Sequence, residues 1–202
     1  MPVTDANEKK KMTATPTRHT VTLKGGAGFA NAVRMSLLSD VTNVAPKSVT
    51  FEANTTCFNS EMLAHRIGLI PFRAAGEGDT LTLDITGPKV VYARDLVGTA
   101  YVPVHDFIDI AHLGTAEQTL KLTVHFDRQR AGKHARYSPC CAVGMRRLDG
   151  DGRYEIGFEL LDPERPASDV LREALDALDA LLDGALRQLS HQPAHPPQSC
   201  CR

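Results

Sequence analysis

"HTVTLKGGAGFANAVRM", residues 19–35, joins two different hydrophobic patterns through a turn rich in glycine. In residues 19–23 the side chains alternate in character, which predicts a half-buried strand. After the glycines, apolar residues return at the spacing of an amphipathic helix, and they are Phe29, Ala30, Val33, Leu37 and Val41. A strand, a glycine turn and a helix in this order can cradle a phosphate group, or the turn can simply start a helix whose apolar face is meant for another protein.

The glycines of this turn match the known phosphate-binding motifs only in part. Gly26 and Gly28 would need a third glycine at the position of Asn31, and the chain contains no GxxxxGK[ST] sequence. The residues "GGAG" need only supply a tight turn. A small nucleotide-binding enzyme that uses "KGGAGFAN" stays an alternative hypothesis, which predicts that nucleotides stabilise the isolated chain.

The composition argues against several classes of function. The 202 residues carry 23 basic and 24 acidic side chains, a net charge of -1, so no field of one sign is available to bind a nucleic acid backbone directly. The N-terminus lacks the apolar core of a signal peptide and no run of about 18 apolar residues occurs, which predicts an intracellular chain that is neither secreted nor membrane-bound. The five cysteines include two adjacent pairs and no CxxC, so we predict no metal and no cofactor.

Further patterns complete a chain of mixed helices and strands. Alternating apolar residues predict strands in "SVTFEA" (48–53), "TLTLDI" (80–85), "LKLTVHF" (120–126) and "GRYEIGFEL" (152–160). A helix is expected from Ser60 and must end near Gly68, because Pro71 cannot continue it. Residues 1–17 and 191–202 are polar and are predicted to be disordered.

The last predicted element is also the longest. "SDVLREALDALDALLDGALRQL", residues 168–189, predicts a helix that starts at Ser168. Its apolar residues repeat every three or four positions, as in helices that pack against another helix, and they are Leu171, Leu175, Leu178, Leu182, Ala185 and Leu189. The stripe could equally pack on the chain's own sheet, and the pattern alone leaves both possibilities open.

No motif of a catalytic site is apparent, since GxSxG and HExxH are both absent. Three segments instead combine rigid turn residues with charge, namely "AHRIGLIPF" (64–72), "VYARDL" (91–96) and "GKHARYSP" (132–139). Each could hold a charged group in a fixed place for a partner, or be an ordinary solvated loop.

These charged segments, with the first and last helices, resemble a known family. "FANAVRMSLLSDV" (29–41), "EMLAHRIGLIPF" (61–72), "VYARDL", "GKHARYSP" and "YEIGFELLDPERPASDVLREALDALDALL" (154–182) are similar, in this order, to the alpha-like subunits of multisubunit DNA-directed RNA polymerases. That family comprises the third-largest subunit of eukaryotic polymerase II, its counterpart shared by polymerases I and III, the archaeal counterpart and the N-terminal region of bacterial alpha. The resemblance implies an α+β fold in which residues 18–52 and 153–190 form a dimerisation domain around a mostly β insert, residues 53–152.

The resemblance also implies a non-catalytic role in assembly. The first and last helices would pair with a smaller alpha-like subunit through Phe29, Val33, Leu37, Leu171, Leu175, Leu178, Leu182 and Leu189. The pair would then meet the largest and second-largest subunits through Arg34, Arg66, Gly68, Pro71, Lys133, His134 and Arg136. Small polymerase assembly subunits would be further partners. Such a protein would work in the nucleus of a eukaryote, or with a virus that replicates in the nucleus, and otherwise in the cytoplasm.

The chain departs from the family's pattern in three places. Arg34 is followed by Met35 where the family usually has a second arginine. The cysteines that bind zinc or iron-sulfur clusters in some members have no counterpart in "RAAGEGDTLTLDI" (73–85), and only "CCAVGMRRLDGDG" (140–152) separates the "YSP" loop from the closing strand. A second alternative is a self-associating adaptor without a polymerase, which predicts a stable homodimer.

Overall fold

The computed structural model describes residues 18–148 and 152–190. The disorder predicted for residues 1–17 and 191–202 therefore lies outside the described residues. The helices in the described part are α1 (Ala27–Ser39), α2 (Ser60–Gly68) and α3 (Ala167–Ser190). The strands are β1 (Arg18–Lys24), β2 (Thr42–Asn54), β3 (Phe72–Ala74), β4 (Thr80–Thr86), β5 (Lys89–Tyr92), β6 (Tyr101–Pro103), β7 (Asp109–Leu113), β8 (Thr119–Arg130), β9 (Cys140–Leu148) and β10 (Arg153–Leu160). Helices beside antiparallel sheets agree with the predicted α+β class.

One three-stranded sheet brings the two ends of the described chain together, in the order β1-β10-β9. The alternation that predicted β1 and β10 is present, since Val21 lies opposite Ile156 and Leu23 opposite Tyr154. Helices α1 and α3 pack against this sheet. The buried residues between them form the end core, which consists of Val33, Leu37, Val41, Cys140, Ile156, Phe158, Leu160, Val170 and Ala174.

A second three-stranded sheet, in the order β2-β8-β4, carries most of the remaining chain. Its central strand β8 buries every second residue from Leu120 to Phe126, as the alternation predicted. The short strands pair as β3 with β6 and β5 with β7, and α2 packs against β2 and β7. These elements enclose a second core, which includes Leu63, Ile67, Leu81, Leu83, Ile110, Leu120, Leu122 and Val124.

The helix ends follow from local chemistry. The side chain of Asn59 accepts a hydrogen bond from the backbone N–H of Met62 at 2.8 Å, which caps α2. The same helix ends at Gly68, in agreement with the prediction from Pro71. Helix α1 ends at Ser39, so Val41 lies beyond the helix, although the pattern had counted it on the helical face and although it is buried in the end core.

Strand pairing crosses the domain boundaries that the resemblance implies. Strand β9, which lies in the implied insert, pairs with β10, and β2 pairs with β8 of the second sheet. Strand β9 escaped prediction because a register shift interrupts its pairing and Ala142 adopts a φ of 50°, so its side chains do not alternate simply. Strands β3 and β6 have three residues each, too few for a period to show.

Candidate functional site

Helix α3 has two halves with different surroundings. In its first half, Val170 and Ala174 are fully buried in the end core, and Leu171, Leu175 and Leu178 pack partly against it. From residue 179 to residue 190 every side chain is exposed. The second half therefore extends beyond the chain's own core.

The exposed half of α3 still carries large apolar side chains. We call Leu181, Leu182, Leu186 and Leu189 the distal ridge. Leu182 is 53% exposed and Leu189 is 66% exposed. A ridge of this kind is unusual on a monomer, where contiguous apolar surface marks a site of interaction.

Phe29 on α1 adds to this surface. Its side chain is 45% exposed, and it borders a groove of about 290 Å³ together with Leu175, Leu178 and Leu182. The predicted interface residues Phe29, Leu182 and Leu189 are thus accessible, while Leu175 and Leu178 line the groove from a half-buried position.

Two of the predicted interface residues lie elsewhere. Val33 and Leu37 have 0% exposure, because the end core encloses them. They share the apolar face of α1 with Ala30, and that face packs inside this chain rather than facing outward. A partner could reach Val33 or Leu37 only by opening the core, so the interface proposed below omits both.

Polar contacts hold the first half of α3 in place. The buried hydroxyl of Ser36 on α1 donates a hydrogen bond to the carbonyl oxygen of Ala174 at 2.7 Å. The carboxylate of Glu173 accepts from the backbone N–H of Thr42 at 2.8 Å and from the guanidinium of Arg165 at 2.8 Å. The orientation of the exposed half is therefore set by contacts at the other end of the same helix, which the sequence did not reveal.

A further ion pair links strand β3 to the segment that follows β10. Arg73 on β3 donates to both carboxylate oxygens of Asp162, at 2.9 and 2.8 Å, and also contacts Glu164. These acids follow β10. The hydrogen bonds to Asp162, more than the charge of Glu164, raise the pKa of Arg73. A two-point contact of this type fixes geometry as well as charge.

Three of the predicted contact residues for the large subunits come together in space. The guanidinium of Arg136 lies over Gly68, where an added Cβ would be 3.4 Å from its Cζ atom. The same guanidinium donates to the carbonyl oxygen of Pro46 at 2.7 Å, and the backbone N–H of Arg136 donates to Nδ1 of His134 at 3.1 Å. Arg136 therefore connects the "GKHARYSP" segment to α2 and to β2.

The other predicted contact residues have separate surroundings. Arg66 donates to the carbonyl oxygen of Asp109 at 2.8 Å and lies over the ring of Phe58. Arg34 donates to the side chain of Asn31 within α1. Two more, Pro71 and Lys133, are half-buried and exposed respectively.

The buried ionisable groups nearby are suited to structure. Burial, with a hydrogen bond to Asp127, raises the pKa of Tyr137 to about 12. Burial likewise raises the pKa of the Cys140 thiol to about 12. Both groups are protonated at neutral pH, and a thiol is not a nucleophile in that state.

The glycine turn offers little support for nucleotide binding. The backbone N–H of Gly25 donates to the carbonyl oxygen of Gly152 at 3.0 Å, so it is occupied within the chain.

Within residues 18–148 and 152–190, no three His, Cys, Asp or Glu side chains gather where they could hold a metal ion. No helix of the described residues is long and apolar enough to span a membrane.

Known proteins are similar to this chain over most of its length. The "DNA-directed RNA polymerase subunit Rpo3" of Methanocaldococcus jannaschii is 28% identical over 186 residues, which cover 90% of this chain and 95% of that protein. The protein of the same name from Natronomonas pharaonis is 30% identical over 73% of this chain and 61% of its own length. The human "DNA-directed RNA polymerases I and III subunit RPAC1" is 28% identical over 60% of this chain and 48% of its own length.

The coverage differs between these relatives. The chain spans nearly all of the Methanocaldococcus protein but only about half to three fifths of the other two. No protein-family model matches the chain. The archaeal and human relatives are nevertheless all named as subunits of DNA-directed RNA polymerases. The chain belongs to the alpha-like subunits of DNA-directed RNA polymerases.

Proposed function

We propose that this chain is a non-catalytic assembly subunit of a DNA-directed RNA polymerase that pairs, through α3 and the start of α1, with a smaller alpha-like subunit. The observation that carries the proposal is the distal ridge, which leaves the chain's own core and still exposes four leucines. The names of the relatives, all subunits of RNA polymerases, support the setting.

The energetics of the distal ridge favour a partner. Burying one leucine side chain contributes about 1.5 to 3 kcal/mol. A helix in water draws most of its stability from the packing of its apolar face. Every residue in the second half of α3 is exposed, so a partner helix would stabilise this half as well as cover it.

A second surface would receive the large subunits. Lys133 and His134 are exposed beside the Arg136 contact with Gly68, so this corner offers positive charge on a braced loop. We propose that this corner binds the second-largest subunit, and that Arg136 acts mainly by holding the loop in shape. The largest subunit and small polymerase assembly subunits would complete the polymerase. The complex would work inside the cell, where DNA is transcribed.

Purification from the native source tests the proposed function. Affinity-tagged chain, expressed at its natural level, should co-purify with both large polymerase subunits and with one smaller alpha-like chain. Mass spectrometry of the eluate identifies them. Recovery of the chain as a homodimer alone would favour the adaptor hypothesis, and nucleotide-dependent thermal stabilisation would favour the enzyme hypothesis.

Arg136→Ala should destabilise the folded chain, whereas Lys133→Ala should not. The first change leaves the carbonyl oxygen of Pro46 without its charged donor, a loss of about 1.5 to 3 kcal/mol. The second removes an exposed side chain of the same loop, and such changes usually stay within about 0.5 kcal/mol. Urea unfolding of each variant, paired with the small subunit, measures the difference.

The same two variants distinguish stabilisation of the loop from binding of the second-largest subunit. In size-exclusion reconstitution, Lys133→Ala should weaken binding of the second-largest subunit without changing the pair. Equal urea midpoints for Arg136→Ala and wild type would show that Arg136 is not a brace. Unchanged recruitment by both variants would show that this loop is ordinary solvated surface.

A further inference from the structure

We propose that the helix received by the distal ridge carries lysine or arginine along its border, and that acidic residues of α3 select this partner over a second copy of the chain. The inference rests on the proposed function, because it names the chemistry of the partner that α3 pairs with. It concerns Asp176, Asp179 and Asp183, which lie along the half-buried and exposed parts of α3.

The three carboxylates lie along one border of the apolar stripe. At about 100° of rotation per residue, Asp179 lies about 60° and Asp183 about 100° around the helix from Leu182. Asp176 lies one turn before Asp179 on the same side. A helix that covers the leucines must therefore place its own border residues beside these acids.

The three acids form no ion pair within the described chain. The ion pairs of α3 lie in its first half, between Arg172 and Asp169 and between Glu173 and Arg165. In the described residues no cation lies within ion-pair distance of Asp176, Asp179 or Asp183. Residues 179–190 contain two acids and one base, Arg187.

The groove beside Phe29 also combines apolar surface with acids that are unpaired in the described chain. Its lining combines apolar side chains of α1 and α3 with the carboxylates of Asp176 and Asp179, and it includes no basic residue. A lysine or arginine fits this combination, because its methylene stem can lie on Phe29 and the leucines while its charged end meets a carboxylate. An arginine can also lie over the ring of Phe29.

A second copy of the chain fits this surface poorly. In a twofold dimer the same patch meets itself, so in an antiparallel pair of α3 helices the border of acids would face the identical border of the other copy. Like charges brought together at an interface oppose association. The charge pattern therefore favours pairing with a different, basic helix over self-association.

The chain itself provides a probe of this inference. The triple variant Asp176→Lys, Asp179→Lys, Asp183→Lys should associate with wild-type chain more tightly than either protein associates with itself, by about tenfold or more at 50 mM NaCl, because three opposite-charge contacts replace three repulsive ones. Sedimentation velocity of the separate and mixed proteins measures the association. A mixture that associates no better than wild type alone would overturn the inference.

The native partner provides the second measurement. The neutral triple variant Asp176→Asn, Asp179→Asn, Asp183→Asn should bind the co-purified small subunit about 3- to 100-fold more weakly at 50 mM NaCl, and the difference should shrink at 500 mM NaCl. The matched control is Glu77→Gln, Asp106→Asn, Glu117→Gln, which removes three acids elsewhere on the chain and should bind as wild type does.

The outcomes distinguish this inference from the proposed function. Wild-type binding by the neutral α3 variant, or tighter binding, would overturn the basic-helix inference while leaving the pairing itself intact. If the wild-type chain pairs with no small subunit, the proposed function fails instead. Circular dichroism of each variant confirms that the substitutions leave the helix folded.

Discussion

Leu182→Asp should abolish pairing with the small alpha-like subunit. Leu182 belongs to the distal ridge and lines the groove beside Phe29, so it occupies the point where α1 and α3 would both meet a partner. The change loses the burial of a leucine, about 1.5 to 3 kcal/mol. It also places a carboxylate in an apolar contact, which costs at least about as much again unless the carboxylate is paired.

These two losses act together, so we expect binding to weaken by about a hundredfold or more, since each 1.4 kcal/mol corresponds to about a factor of ten. Co-elution in size-exclusion chromatography at micromolar concentration measures the result. The matched control is Ala180→Asp, which introduces the same side chain on the same turn of α3 but nearly opposite Leu182 around the helix. Pairing by Leu182→Asp at wild-type affinity would mean that the interface lies elsewhere.

Leu37→Ala should lower the Tm of the isolated chain, in the absence of any partner. Leu37 is fully buried in the end core, between α1, β10 and α3. Truncating a buried leucine to alanine costs about 2 to 5 kcal/mol, because the removed atoms leave a cavity. In a chain of this size that corresponds to a decrease of roughly 4 to 20 °C in Tm.

Phe29→Ala is the control from the same helix. Phe29 is partly exposed and borders the α3 groove, so its removal should leave the Tm of the isolated chain nearly unchanged and weaken pairing. Differential scanning fluorimetry and a binding titration on both variants separate core from interface. A Tm for Leu37→Ala equal to that of wild type would show that Leu37 is not a core residue.

Periodic elements could be predicted from the sequence because their period states which side chains share a face. The alternation in β8 and β10, the end of α2 before Pro71, and the long helical pattern of α3 all occur where predicted. The polymerase family could also be identified from short segments in order, and the relatives confirm it.

Other features depend on residues far apart in the chain. Arg136 reaches the carbonyl oxygen of Pro46 across 90 positions, and Ser36 reaches that of Ala174 across 138. No local pattern encodes such contacts, because each needs two separately folded segments to meet. Strand β9 was not predicted for a different reason, because its irregular register removes the alternation that marks a strand.

The apolar faces of α1 and α3 depend partly on the sequence and partly on the tertiary structure. The sequence by itself determined that α1 and α3 each have one apolar face, because residues three and four apart lie together on a helix. Only the tertiary structure decided that Val33 and Leu37 are enclosed by this chain while Leu182 and Leu189 extend past its edge. The reason is that helical periodicity defines a face, whereas its burial depends on how far the sheet beneath it reaches.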